Sequence, residues 1–117
     1  SEKGEYMGGA IFPGLNIALE ALYKNTAKLS PVDIVLPEHV IGKSTKESIQ
    51  SGTVYGFVGV VDNIVSKMQK EIGKPARVIA TGGVLPVIQK QVQCIQTVDP
   101  FLTLEGLRIL HQRNRSA

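Results

Sequence analysis

The residues that could do chemistry are few and widely spaced. The sharpest group is Thr81-Gly82-Gly83, which follows the short apolar run Val78-Ile79-Ala80 and precedes a helical pattern. Glycine has no Cβ, so the backbone there can turn sharply and let a ligand come close. The N–H groups that open a helix lack partners inside it and suit a phosphate or a polar ring edge. A strand, a glycine turn and a helix in that order read either as a nucleotide-holding turn or as a tight turn with no ligand. A second hydroxyl, Thr45, closes Gly42-Lys43-Ser44-Thr45 ahead of a long helical stretch. It suits a helix cap as well as a substrate contact. Ser44 and Thr45 are both good caps, with Glu47 or Ser48 at the third position beyond them.

The other candidates are weaker. Cys94 is the only cysteine, which excludes an internal disulfide and a cysteine-rich zinc site. Within the alternating segment Val92 to Val98 it reads as a small buried hydrophobe. His39 and His111 lie far apart and neither has a Glu-x-x-His companion, so no metal site made of side chains is expected. His111 reads as a half-buried helix residue rather than an acid or base.

The totals bound the answer. A chain of 117 residues is one domain at most, spanning 1–117, large enough for a real core. Hydrophobic residues make up 43% and charged residues 20%, an ordinary globular balance, and the absence of Trp makes the core aliphatic. The net charge is +3, and much of it sits in Arg108, His111, Arg113 and Arg115, where it complements the end of a helix. No aromatic residues interleave with that charge, so nucleic-acid binding is not expected. No apolar run approaches the roughly 20 residues of a membrane span, and no leader pattern is visible. A reducing cytoplasm fits the single thiol.

Those residues must be positioned by the elements around them. Tyr6 to Phe12 reads as the second strand of a hairpin whose first strand is not in the chain. A helix then starts near Leu15, with Leu15, Ala18, Leu19, Leu22 and Tyr23 as its buried stripe. Leu29 to Glu38 is held extended by two prolines and is expected to lie over the surface. A long helix, either continuous or broken once, covers about Lys46 to Ile72, with Phe57, Val58, Val61, Ile64, Val65, Met68 and Ile72 on its apolar face. Asp62, Ser66, Lys67, Lys70 and Glu71 read as solvated. Gly52, Gly56 and Gly59 share one face and predict a close neighbour, either a core element or a subunit. Gly73-Lys74-Pro75 ends the helix. A strand into Thr81, a short helix Val84–Val92, a strand Gln93–Val98 and a final helix capped by Thr103 follow. The stripe of that last helix is Leu104, Leu107, Leu110 and His111. Strands alternating with helices mean an α/β layer with at least partly parallel strands.

Five stretches in this order resemble a known family. They are Tyr6-Met-Gly-Gly-Ala-Ile-Phe-Pro-Gly14, Ile41-Gly-Lys-Ser-Thr45, Gln50-Ser-Gly-Thr-Val-Tyr-Gly56, Val78-Ile-Ala-Thr-Gly-Gly83 and Val98-Asp-Pro-Phe-Leu-Thr-Leu-Glu-Gly-Leu107. Together they are similar to the C-terminal half of type III pantothenate kinases. The resemblance implies an α/β fold: the C-terminal ribonuclease-H-like half of an actin-like ATPase, lacking its first two strands in this chain. It implies ATP-dependent phosphorylation of pantothenate, the first step of coenzyme A synthesis, in a cytoplasmic homodimer. ATP with Mg2+ and a monovalent cation, K+ or NH4+, are the implied cofactors. Thr45 matches the threonine that contacts pantothenate. Thr81, Gly82 and Gly83 match the turn beside the adenosine of ATP, whereas Gly8, Gly9, Pro13 and Gly14 match a motif near the cleft with no specific contact. Gly52, Gly56 and Gly59 lie on a helix the family uses near its dimer contact.

The family's phosphate loops, its Gly-Ala-Asp-Arg segment with the catalytic aspartate, and its Asp-x-Gly-Thr cation loop have no counterpart here. No catalytic residue or metal ligand is therefore assigned to this chain, and the N-terminal half is expected to be required for activity. The alternative is a catalytically dead relative serving as a binding or transcriptional accessory module.

Overall fold

The computed structural model describes residues 1–26 and 29–115. Its longest element is helix α2, Thr45–Ile72, which runs for 28 residues without a break. At 1.5 Å per residue that is a rod of about 42 Å. Ser44 caps it, accepting the Glu47 N–H at 3.2 Å, while Glu47 Oε2 reaches back to accept the Lys43 N–H at 2.7 Å. The far end stops at Gly73, whose φ of 75° is left-handed and whose N–H returns to Gln69 O. Pro75 then prevents continuation.

The other elements lean on this rod. Helix α1, Leu15–Lys24, buries Leu15 and Leu19, one turn apart, while Ala18 and Leu22 of the expected stripe stay exposed. Tyr23, a further turn on, is half-buried, and its hydroxyl accepts the Val32 N–H at 2.8 Å. The extended segment 29–38 is strapped to α2 as well: Gln50, itself buried, donates to Asp33 O at 2.9 Å. Strand β1, Ile79–Ala80, pairs in parallel with β2, Thr97–Val98, placing Ile79 opposite Thr97 and Ala80 opposite Val98. A parallel pair needs a crossover, and helix α3, Leu85–Ile88, supplies it. Helix α4, Leu102–Arg115, closes the described chain.

The core forms where these elements meet. Leu15, Val54, Val58, Leu85, Ile88 and Val92 make one cluster, with Ile34, Phe57, Val61, Ala80 and Cys94 packed against it. Val54 is fully buried, although the sequence pattern places the apolar face only from Phe57 onward. Val58, Phe57, Val61, Ile64, Val65 and Met68 are at least half-buried as expected, and Ile72 is exposed. The radius of gyration is 17.6 Å, against about 13 Å for a compact domain of this length. Much of the apolar surface consequently faces outward.

Several expectations change here. Tyr6–Phe12 is not a strand: it is irregular and exposed, tethered by Phe12, whose ring centroid is 6.3 Å from that of Phe57. A strand exists only when a neighbour takes its N–H and C=O groups, and none of the described residues does so. The α3 helix is four residues long rather than Val84–Val92, with turns carrying the chain to Gln91. In α4, Thr103 lies inside the helix, and Asp99 Oδ1 instead accepts the Phe101 N–H at 2.9 Å just before it. None of α4's described residues is buried, so Leu104, Leu107, Leu110 and His111 form an exposed stripe.

Candidate functional site

The Thr81–Gly83 turn stands at the end of β1, where strand pairing stops and α3 has not begun. Gly82 has a φ of 121°, a region that an L side chain rarely adopts, so glycine is required there. The Leu85 N–H closes the turn on Gly82 O at 3.3 Å. Thr81, Gly82 and Gly83 are all exposed, whereas Leu85 and Ile88 just beyond are buried against α2. An accessible turn therefore sits on a fixed base. Four helical residues give little macrodipole, so its capacity to bind lies in close backbone approach and the Thr81 hydroxyl.

Thr45 is the first residue of α2, and the capping work is done by Ser44. The loop before it is clamped to the helix start at several points. Ser51 Oγ donates to Val40 O, and Ser48 Oγ donates to Gly42 O at 3.4 Å. Gly42 lies so close to the first helical turn that a Cβ would come within 2.6 Å of Glu47 C and 2.8 Å of Ser48 Cα. Sequence reasoning missed this role. The signal was present, a glycine three residues before a helix, but only coordinates show the close approach. Thr45 is exposed beside this rigid loop and is not spent on the cap.

Asp62 corrects the reading of the helix's polar side. It is half-buried, not solvated, and it binds the segment between α3 and β2. Its Oδ1 accepts the Gln93 N–H at 3.0 Å and the Cys94 N–H at 2.9 Å, with Oδ2 at 3.2 Å from the Gln93 nitrogen. Burial pushes the carboxyl up, but the Cys94 and Gln93 amides outweigh it and leave the pKa below the ordinary value. Burial first, then the neighbouring Asp62 carboxylate, push the Cys94 thiol up to about 11. Such a thiol stays protonated at neutral pH and is a poor nucleophile.

These features do not converge on one pocket. Met7, Gly8 and Gly9 line a cleft of about 280 Å³ with Met68, Glu71 and Ile72 of α2. Met68 is 23 residues beyond Thr45, about 35 Å along the rod, so the Gly8-Gly9 cleft and Thr45 occupy opposite ends. The Thr81–Gly83 turn lies between them, based on the cluster around Val54 and Val58. Pro13 is exposed, and Gly14 precedes the first turn of α1 without a side-chain cap. A Cβ at Gly52, Gly56 or Gly59 would meet nothing within 4 Å, so no core element of the described chain is the close neighbour those glycines predicted. No group of three or more His, Cys, Asp or Glu among the described residues could hold a metal ion.

Comparison with known proteins identifies the family. A family model described as type III pantothenate kinase matches residues 1–67. The chain belongs to the type III pantothenate kinase family. A type III pantothenate kinase of Myxococcus xanthus is 51% identical over 117 residues, covering 100% of this chain and 46% of that protein. One from Moorella thermoacetica is 54% identical over 114 residues, 97% of this chain and 45% of its own length. One from an Anaeromyxobacter species is 51% identical over 115 residues, with 98% and 45% covered. The chain thus spans less than half the length of these curated relatives. The family-model match ends inside α2 and includes Thr45. In this type III pantothenate kinase family member, the glycine turn, the parallel strand pair and α4 lie beyond that match. They fall within the span of the Myxococcus xanthus similarity.

Proposed function

We propose that this chain forms part of an enzyme that transfers the γ-phosphoryl group of ATP to the primary alcohol of pantothenate, giving 4'-phosphopantothenate for coenzyme A synthesis. The observation that carries this reading is similarity along 97% to 100% of the chain to proteins named type III pantothenate kinase. Residues 1–117 are assigned to the C-terminal, ribonuclease-H-like part of an actin-like fold, for which the parallel β1–α3–β2 unit is a fitting fragment. The remaining strands of that half belong in this reading to polypeptide that the chain does not contain.

Phosphoryl transfer asks the protein mainly to position two reactants and to stabilise charge on the moving group. In the transfer the pantothenate oxygen bonds to the γ-phosphorus while the bond to the ADP oxygen breaks. Thr45 is assigned to pantothenate: its hydroxyl is exposed and free of the cap, beside a loop that Gly42, Ser48 and Ser51 hold rigid. The Thr81–Gly83 turn is assigned to the adenosine end of ATP, where an exposed glycine backbone permits close approach. Among the described residues no group of three or more His, Cys, Asp or Glu could hold Mg2+, so no step is assigned to a metal ion here. Base, phosphate cradle and cation contacts are placed in the rest of the enzyme, which in this reading is a cytoplasmic homodimer. The open Gly52, Gly56 and Gly59 face suits contact with the second subunit.

The test is reconstitution. This chain alone, and this chain mixed with the complementary N-terminal segment of the Moorella thermoacetica relative, are assayed for ATP-dependent phosphorylation of pantothenate. Activity only in the mixture supports the reading. Binding of both halves without turnover overturns it in favour of a non-catalytic relative, as does an encoding gene without an Asp-x-Gly-Thr segment upstream.

A further inference from the structure

The Asp62 contacts reach further than α2. Gln93 and Cys94, whose N–H groups it accepts, directly follow Val92, the last core residue of the α3 segment. Upstream, that segment leads back to Thr81–Gly83. Downstream it enters β2, which pairs with β1, the strand from which the turn emerges. One carboxylate thus fastens the segment that joins both supports of the turn. Apolar packing of Ile88 and Val92 already holds α3 against α2, but such contact is non-directional and leaves the register free. Charge-assisted hydrogen bonds to two successive amides fix it.

We propose that Asp62 is a positioning residue for the adenosine end of ATP, acting through Gln93 and Cys94 on the Thr81–Gly83 turn, an inference that rests on the kinase reading above. Asp62 itself touches no substrate. Removing its carboxylate leaves Leu85, Ile88 and Val92 buried but lets the segment slide along α2, and the turn moves with it. Thr45 is 17 residues away on the same helix, about 25 Å along the axis, and its clamped loop does not depend on Gln93 or Cys94. The effect is therefore selective for one substrate.

The experiment compares Asp62→Ala, Asp62→Asn and Val61→Ala in the intact kinase that contains this chain. Val61 packs on the same core but has no polar group to accept the 93–94 amides, so its variant reports loss of packing alone. Asp62→Ala is expected to raise the KM for ATP about tenfold, with the KM for pantothenate and kcat within about twofold. Asp62→Asn, which keeps one acceptor oxygen, should fall between. Val61→Ala should leave both KM values unchanged. A parallel rise in both KM values, an unchanged KM for ATP, or an equal rise with Val61→Ala overturns the proposal. Hydrogen exchange at the Leu85 amide, which closes the turn on Gly82 O, separates this from failure of the kinase reading. If the parent phosphorylates no pantothenate, the kinase reading falls. Faster Leu85 exchange in Asp62→Ala but not in Val61→Ala would still establish control of the turn, and equal exchange would refute it.

Discussion

Helices α1 and α4 both carry leucines on one face, yet they meet opposite fates. In α1, Leu15 is 1% exposed and Leu19 5%; in α4, Leu104, Leu107 and Leu110 are 57% to 61% exposed. Both helices are regular and amphipathic, so the difference does not lie in the helix. It lies opposite the helix: α1 crosses α2, whereas no part of the described chain covers the face of α4. Periodicity specifies a helix and the side it would bury. Burial itself requires a second surface.

The same substitution breaks the two helices differently, and the largest effect is expected in α1. Leu15→Ala removes a side chain from the centre of the cluster with Val54, Val58, Leu85, Ile88 and Val92. It should cost about 3 kcal/mol of unfolding free energy, read as a lower urea midpoint at unchanged slope. A loss below about 1 kcal/mol would mean that this core is not formed in solution.

Gly42→Ala comes next. Its Cβ would run into the backbone of Glu47 and Ser48, which cannot rotate away as a side-chain tip would. Loop and helix start must separate, at a cost of about 2 kcal/mol. Circular dichroism and denaturation would detect it. A silent substitution would show that the loop before Thr45 is loose, weakening Thr45's claim to a fixed position.

Asp62 gives the acid response of the packed region. Its pKa is lowered in the folded chain, so its contribution is complete above the ordinary aspartate value of the unfolded chain. The contribution is lost as pH falls through the lower folded value. Asp62→Asn should therefore cost about 1 kcal/mol at pH 6. The gap between variant and parent should narrow below about pH 4. A gap that persists at low pH would exclude the carboxylate charge as its source.

What was legible in the sequence follows the same division. The Ser44 cap, the Gly73-Pro75 stop and the strand-to-turn passage at Ala80-Thr81 were readable because each is decided within a few residues. That strands run at least partly in parallel was readable from alternation of strands and helices, though not which two strands pair. Asp62 was not, because a carboxylate on a helix reads as solvated until its partners, 31 and 32 residues away, are known. Val54 was missed because the glycines on either side of it mask the stripe. Tyr6–Phe12 was read as a strand and the α4 stripe as a buried face, because pattern alone does not say whether a partner is present. Of the candidate site, Gly82's special backbone was visible as glycine, and the clamp of Gly42 on α2 was not.

Two smaller substitutions sharpen the comparison from its exposed side. Gly56 lies mid-helix in α2 with open space where its Cβ would be, so Gly56→Ala should stabilise this chain by about 1 kcal/mol. A loss instead would show that another surface approaches that face in solution.

Leu107→Ala should change least. Leucine and alanine have similar helix propensity, and Leu107 is already 57% exposed, so little apolar area returns to water. The shift in this chain should stay within about 0.5 kcal/mol, a small fraction of that for Leu15→Ala. Measured again in the mixture with the complementary segment, the same substitution asks a different question. An unchanged value would leave α4 a solvated appendage of the assembled protein. A rise toward the Leu15 figure would mean that the second surface α4 lacks here arrives with the rest of the polypeptide, and that its stripe is core written in advance of its partner.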